Sequence, residues 1–456
     1  MTRIGFADHL FLRMHHGIGN PVFNQFLWLL DTAVSGDDLE RLRTNLSKGL
    51  LARRVEPPTL PTARHRWVAS TVSLPLELAP SPLPSDTVLC WAEQRVIDDL
   101  DPEAGIGWQL AAAPLSGGGM VVSLVCSHMV ADGAAMVEAI RRANSDNSGV
   151  DNSGVDARDL GTSPSLFGGI VEDLGDTVGE AKPIVQWVAA KVVATATSVF
   201  SSGQDSASGS GQIDPPRRQN VDQVSGPWSP PYVVVECSAA EWHAAAAEWG
   251  GTSNSLFIGV MTAISEALGR AMPGDELRWS LPYSDRDPLD IDSNSTKIIP
   301  VRVPVSDRQD RDLTRIRKAC KAAFTDFAAR QKAGTASPTV PLPLIQMLPD
   351  AVVARLPMPT DGAEGLCSNL GQLPEDFITI GGVRARSVAA RATFAGADAA
   401  FARTLGGGST AWATETDEAI TITLHGMDPD RMVTDSAVRD VVADVLQRWK
   451  ISHRFW

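Results

Sequence analysis

His128 and Asp132 stand four residues apart in the run Cys126-Ser127-His128-Met129-Val130-Ala131-Asp132-Gly133. An imidazole titrates close to neutrality. Held rigidly, it can take a proton from an alcohol, an amine or a thiol. The neighbouring segments would hold it so. Met120-Val121-Val122-Ser123-Leu124-Val125 is apolar and β-prone, and Ala134-Ala135-Met136-Val137-Glu138-Ala139-Ile140 has helical composition. The pattern predicts a strand that delivers His128, a short turn, and a helix opening at Asp132 or Gly133. Two plainer readings stand beside this one. Asp132 could serve only as a helix N-cap, and His128 could be a hydrogen-bonded core histidine.

Other residues invite the same weighing. His15 and His16 are adjacent, precede Gly17 and lack a preceding strand, so they read as loop residues. Arg53, Arg54, Arg64, His65 and Arg66 form the most basic stretch. They suit either a solvated basic face or a site for the phosphates of coenzyme A or a phosphopantetheine arm. The five cysteines are scattered and odd in number. They give no disulfide framework and no metal-ligand spacing, and Cys126 reads as a buried strand residue.

The elements that must position His128 read as mixed α/β. Helical spacing runs from Asp38 to Leu51 and from Thr87 to Leu100, and a strand surrounds Arg66-Trp67-Val68-Ala69. Gly107 to Ala113 and Met120 to Cys126 read as a hairpin around Ser116-Gly117-Gly118-Gly119. Residues 146–150 and 151–155 repeat Asp-Asn-Ser-Gly-Val, a surface loop. Leu166 to Phe200 reads as helical with a break near Pro183. Its second part packs on the protein or, alternatively, touches lipid from the interface. Ser201 to Pro231 is rich in Ser, Gly and Pro and reads as a crossover linker. The division is therefore 1–200, linker 201–231, and 232–456. In the last part strands are expected over 232–237, 279–284, 298–305, 378–393 (a pair) and 410–424 (a pair). Helices are expected over 239–249, 252–268, 311–330 and 435–449.

The 456 residues suffice for two domains. Hydrophobic content of 43% and charged content of 21% suit a globular protein. The formal net charge of −14 argues against nucleic acid as a partner and against general attraction to anionic membranes. Charge interrupts the first residues too early for a signal pattern. A cytoplasmic location is expected, peripheral to a membrane at most.

The His128 segment resembles the active-site motif HxxxDG of the condensation-domain and chloramphenicol-acetyltransferase-like acyltransferase superfamily. That superfamily includes peptide-synthetase condensation domains, polyketide-associated acyltransferases and bacterial wax ester synthase/diacylglycerol acyltransferases. Many members begin the motif with two histidines; here Ser127 takes the place of the first. The resemblance implies an α/β fold of two chloramphenicol-acetyltransferase-like domains, each a mixed sheet flanked by helices, with a tunnel between them. It implies His128 as general base, with no acyl-enzyme. It also implies that Asp132 points away from substrate and pairs with Arg286, which ends the strand Leu281 to Arg286. Asn294 to Val301 is similar to the following site-lining segment. Ser368-Asn369-Leu370-Gly371 resembles the Ser-Asn-x-Gly element of free-standing members, although Asn369 could equally cap a strand end. Phe6 to Leu12 and Ser253-Asn254-Ser255 are similar to segments of wax ester synthases. Gly133 would allow close approach of substrate or simply make a turn. Ser127, the Gly133 amide, Ser368 and Asn369 are the candidates for binding substrate or an oxyanion.

The implied reaction moves an acyl group from a thioester, acyl-CoA first, to a hydroxyl or amine acceptor. Coenzyme A or a phosphopantetheine thioester would be co-substrate, with no permanently bound cofactor and no metal. The alternative is a carrier-protein-dependent condensation enzyme forming an amide or ester. A non-catalytic binding relative is a third reading, favoured only by Ser127.

Overall fold

The computed structural model describes residues 2–96, 100–145, 160, 161, 163–181, 218–284 (except 220, 222, 224 and 225), 286, 292–306, 311–333, 346, 348, 350–353, 355 and 362–456. The tandem repeat at 146–155, the segment 182–200 and the centre of the expected linker lie outside the described residues.

Two sheets organise the chain. The strands of the first half are β1 (Val22–Leu30), β2 (Arg53–Glu56), β3 (Arg66–Ala69), β4 (Glu77–Leu78), β5 (Trp108–Pro114) and β6 (Met120–Ser127). Those of the second half are β7 (Tyr232–Ser238), β8 (Glu276–Ser284), β9 (Thr296–Pro304), β10 (Gly365–Gln372), β11 (Thr379–Ile380), β12 (Val383–Phe394), β13 (Ser409–Glu415), β14 (Ala419–Gly426) and β15 (His453–Phe455). A six-stranded sheet runs β11-β12-β1-β6-β5-β4, and a seven-stranded sheet runs β15-β7-β14-β13-β10-β8-β9. β2 and β3 pair apart from both.

β6 is buried along its whole length. That is why its sequence is an unbroken apolar run rather than an alternating one. It pairs antiparallel with β5 and with β1. The β5–β6 turn needs Gly119, whose φ is +83°. A side chain there would meet the carbonyl oxygen of Leu30 at 2.2 Å, a distance no methyl group tolerates.

The helices used below are α1 (Phe6–His15), α2 (Gly36–Leu46), α3 (Val88–Glu93), α4 (Gly133–Ser145), α5 (166–181), α6 (Ala239–Glu248), α7 (Ser253–Ala267) and α8 (Thr314–Ala333). Leucines 39, 42 and 46 of α2 fill one face of the first core, against Trp28, Leu110, Val122 and Ala139. The second core is built on Trp242, Phe257, Met261 and Trp279. Between the sheets, Leu27, Leu29 and Val121 of the first pack against Tyr232 and Val234 of the second.

The structure departs from the sequence reading in several places. β11 and β12, which lie beyond residue 232, belong to the first sheet. β12 pairs with β1 from Val22↔Phe394 to Leu30↔Ala385, so the sheets do not divide in chain order. The helix expected over Thr87 to Leu100 is shorter: a 3-10 turn at Ser85–Thr87 leads into α3. His15 is the last residue of α1 and His16 its C-cap, so neither is a loop residue.

Most of the basic stretch is not a solvated face. Arg53 and Arg66 are buried. Arg66 and Arg3 share Asp173 of α5, and Arg64 takes Asp176 and Glu180. The acidic partners come from more than 100 residues away, so local charge gave no hint of them. With its charged face turned inward, α5 leaves Phe167 and Val178 in solvent, at 78% and 67% exposure. Among the described residues no helix is long and apolar enough to cross a membrane.

Candidate active site

β6 ends at Ser127, and His128 is the next residue. Its amide donates to the carbonyl of Val22 on β1 (2.9 Å), so the strand's pairing continues into the motif. The backbone then turns through Ser127–Val130 (2.9 Å) and enters α4 at Gly133. The imidazole of His128 lies against the ring of Phe11 from α1, with centroids 4.1 Å apart and planes 19° from parallel. Its Nδ1 is 3.0 Å from Oδ1 of Asn294. Burial holds the ring below the usual histidine range. Its own backbone, Asp132, Asn294 and Asp8 pull the other way.

Asp132 is buried and fully occupied. One carboxylate oxygen accepts from the Ala135 amide (2.8 Å) and from Arg286 (3.2 Å). The other accepts from the Ser295 amide (3.0 Å) and the Thr296 hydroxyl (2.8 Å). It therefore caps α4 and pairs with Arg286 at once. Arg286 also donates to the carbonyl of Asp292 (2.7 Å), and the Asp132 amide donates to that of Ser293 (2.8 Å). The segment 292–296 is thus clamped to the motif along its length.

A cavity of about 900 Å³ opens beside His128. Phe6, Leu10 and Phe11 line it from α1, Val137 from α4, and Leu281, Tyr283 and Ile298 from β8 and β9. Leu366, Ser368, Asn369 and Leu370 come from β10, and Trp412 from β13. The walls are mostly apolar, and both sheets contribute. Asp132, Gly133 and Asn294 stand at the edge near His128. A side chain at Gly133 would touch only Leu370, at an ordinary 3.8 Å. The fold itself does not demand a glycine there.

Asn369 reaches across to the start of α7, its amide donating to Oδ1 of Asn254 (3.2 Å). Its own Oδ1 accepts from the Gly371 amide (2.9 Å), a local turn in which Gly371 has φ +66°. Two separately noted segments, 253–255 and 368–371, therefore meet at the cavity wall.

Ser127 is a correction. It is fully buried and its hydroxyl is 2.9 Å from Nε2 of His15. It does not line the cavity, because alternate residues of a strand face opposite sides. It is no oxyanion donor in this arrangement. His15, from α1, thus sets an imidazole beside the Ser127 hydroxyl. Among the described residues no group of three or more His, Cys, Asp or Glu could hold a metal. Cys126 is buried in apolar packing, which pushes its thiol up to about 12, as expected of an inert strand residue.

Sequence reasoning had Asn294 only as part of a site-lining segment, and Asp8 and Phe11 only within an N-terminal likeness. No local pattern marks their partnership with His128, since 117 to 166 residues separate them from it.

No protein-family model matches the sequence, and no curated protein matches it. Solved structures do. The first condensation domain of the calcium-dependent antibiotic synthetase superposes with a TM-score of 0.59 at 13% identity, over 98% of this chain and 96% of that one. The wax ester synthase/diacylglycerol acyltransferase of Marinobacter aquaeolei VT8 gives 0.53 at 15%, over 98% and 100%. Polyketide synthase associated protein 5 of Mycobacterium tuberculosis gives 0.53 at 13%, over 97% of each. With two mixed sheets flanked by helices and a cavity between them, this chain has the two-lobed fold of these condensation and acyltransferase structures.

Proposed function

We propose that the chain is an acyltransferase that moves an acyl group from a thioester to a hydroxyl or amine, with His128 as general base. The observation that carries this reading is one imidazole, partly open to an apolar cavity between two sheets, with its Nδ1 already engaged by Asn294. The Nε2 atom is then the free base. It takes the proton of the acceptor while the acceptor's oxygen or nitrogen attacks the thioester carbonyl. The tetrahedral intermediate collapses, the C–S bond breaks, and the imidazolium returns the proton to the departing thiolate. No bond to the enzyme forms.

Burial keeps the imidazole neutral before the reaction, as a base must be. Nearby Asp132 and Asp8 favour the imidazolium that develops. General-base help of this kind is worth about 10²–10⁴ in rate, and holding both reactants in one cavity adds to it. The apolar walls suit the acyl chain. Coenzyme A or a phosphopantetheine arm would carry it, and no permanent cofactor is needed. Ser368 and Asn369, which line the same cavity, would be among the polar groups to contact a substrate.

The purified chain should release free thiol from an acyl-CoA in the presence of an alcohol or amine panel, and His128→Ala should abolish most of that release. Full activity in the alanine variant would remove the proposed base. Offering the same acyl group on an acyl carrier protein separates the two donor classes. A strong preference for the carrier would move the reading to a condensation enzyme.

A further inference from the structure

We infer that Asn294, oriented by Asp8, is the positioning residue that fixes the tautomer of His128. The inference rests on His128 acting as the base.

A carboxamide can present either its oxygen or its NH₂ to a neighbour, and the surroundings decide which. The Asn294 NH₂ donates to Oδ1 of Asp8 (2.9 Å) and to the carbonyl of His128 itself (2.9 Å). Both partners can only accept. The nitrogen must face them, and Oδ1 must face the imidazole. An amide oxygen cannot donate, so the Nδ1 atom 3.0 Å away must carry the proton. The Nε2 lone pair is then left for the acceptor substrate. Reversing the amide would set its oxygen against a carboxylate and a carbonyl, two acceptor–acceptor contacts in a buried place.

Asp8 is itself pinned. Its Oδ2 accepts from the Gly5 amide (2.8 Å), and its Oδ1 also accepts from the Ser293 hydroxyl (2.6 Å). Three residues further along α1, on the same face of the helix, Phe11 stacks on the imidazole. One helix thus sets both the plane of the ring, through Phe11, and its protonation pattern, through Asp8 and Asn294. The motif aspartate joins the same circuit from the other side. By holding Arg286, Ser295 and Thr296 it fixes the segment that delivers Asn294 back to His128. Asp132 therefore acts on the base through Asn294 as well as by its charge, and not by touching substrate.

The test is a long-range ¹H–¹⁵N spectrum of ¹⁵N-histidine-labelled protein, with His128 assigned by its loss in His128→Ala. The wild-type ring should be the Nδ1–H tautomer. In Asn294→Leu, which keeps the bulk and removes the side-chain acceptor, the share of that tautomer should fall, leaving only the weaker hold of the ring's own backbone. Its kcat should fall about 10- to 100-fold with KM near the wild-type value. Asn294→Asp keeps an acceptor beside Nδ1 and should retain the Nδ1–H form even if it lowers stability. An Nε2–H ring in the wild type, or an unchanged tautomer in Asn294→Leu, would overturn the inference. The spectrum needs no turnover. A chain with the Nδ1–H ring and no transferase activity would uphold this inference and count against the proposed function instead.

Discussion

The two lobes contain the same short device, used in opposite ways. In each, a hairpin's second strand is the middle strand of three: β5–β6 beside β1, and β13–β14 beside β7. Each such strand delivers a histidine near its end and an aspartate shortly after. In the first lobe these are His128 and Asp132, paired with Arg286. In the second they are His425 and Asp428, paired with Arg270. There the likeness stops. His425 is 3% exposed, stacked on Tyr232 at 5.1 Å and edge-on to Trp412 at 5.7 Å. Its Nε2 finds no hydrogen-bond partner among the described residues. Burial holds it well below the usual histidine range. His128 has a cavity on one side and a polar partner on Nδ1; His425 has aromatic rings and no opening. Trp412 marks the boundary, with one edge in the cavity wall and another against His425. A histidine at a strand end is thus chemically ambiguous until its surroundings are known.

Paired substitutions sharpen that contrast. The largest effect should be His128→Ala, with kcat/KM for thioester-dependent acyl transfer down about 10²- to 10⁴-fold and the thermal midpoint little changed. His425→Phe should instead keep transfer within a few-fold and register in the midpoint. If the two variants lose activity equally, the contrast between the lobes is broken. Next come the aspartates. Each belongs to a buried ion pair, and removing one partner costs about 3–5 kcal/mol. Urea unfolding should show Asp132→Ala and Asp428→Ala both destabilised to that degree. Only Asp132→Ala should lose activity beyond its unfolded fraction.

Acid should act through the same buried rings. His9 is held at about 3, and His15, His65, His128 and His425 are lowered, burial being the first cause in each. A histidine lowered on folding contributes stability that is complete above its unfolded value of about 6.5 and is lost as pH falls towards the folded value. The unfolding free energy should therefore decline steadily below pH 6.5. His16 runs the other way. Glu103 and Asp350 raise it to about 9, so its contribution is present below 6.5 and disappears as pH rises through 9. For catalysis, a base with a lowered value should keep kcat/KM level to a pH below 6.5 before it drops. A drop centred above 6.5 would contradict the burial of His128. The smallest effect should come from Ser127→Ala, which removes the bond to His15. It should cost about 1 kcal/mol in stability and leave transfer within a few-fold.

Much of the site was legible because it is local. The apolar run 120–125, the turn and the helix after Gly133 are contiguous, and periodicity is enough to order them. Arg286 was reached through likeness, since nothing in its acidic neighbourhood says that it will turn inward to Asp132. The rest was hidden by distance. Ser127 could not announce that His15, 112 residues earlier, would take its hydroxyl. Arg53 and Arg66 looked like surface charge because their burial depends on partners and packing elsewhere in the chain. β12 read correctly as a strand, yet which sheet it joins is a property of long-range pairing that alternation of residue types does not encode.

That last strand has a consequence during synthesis. The partner of Val22 is Phe394, so a chain leaving the ribosome must wait for some 370 further residues before β1 gains its second neighbour. Until then the nascent first lobe presents a bare, largely apolar strand edge, which is a template for unwanted pairing. A fragment ending at residue 231 should for the same reason aggregate when made alone, and stay soluble when residues 373–396 are supplied in trans.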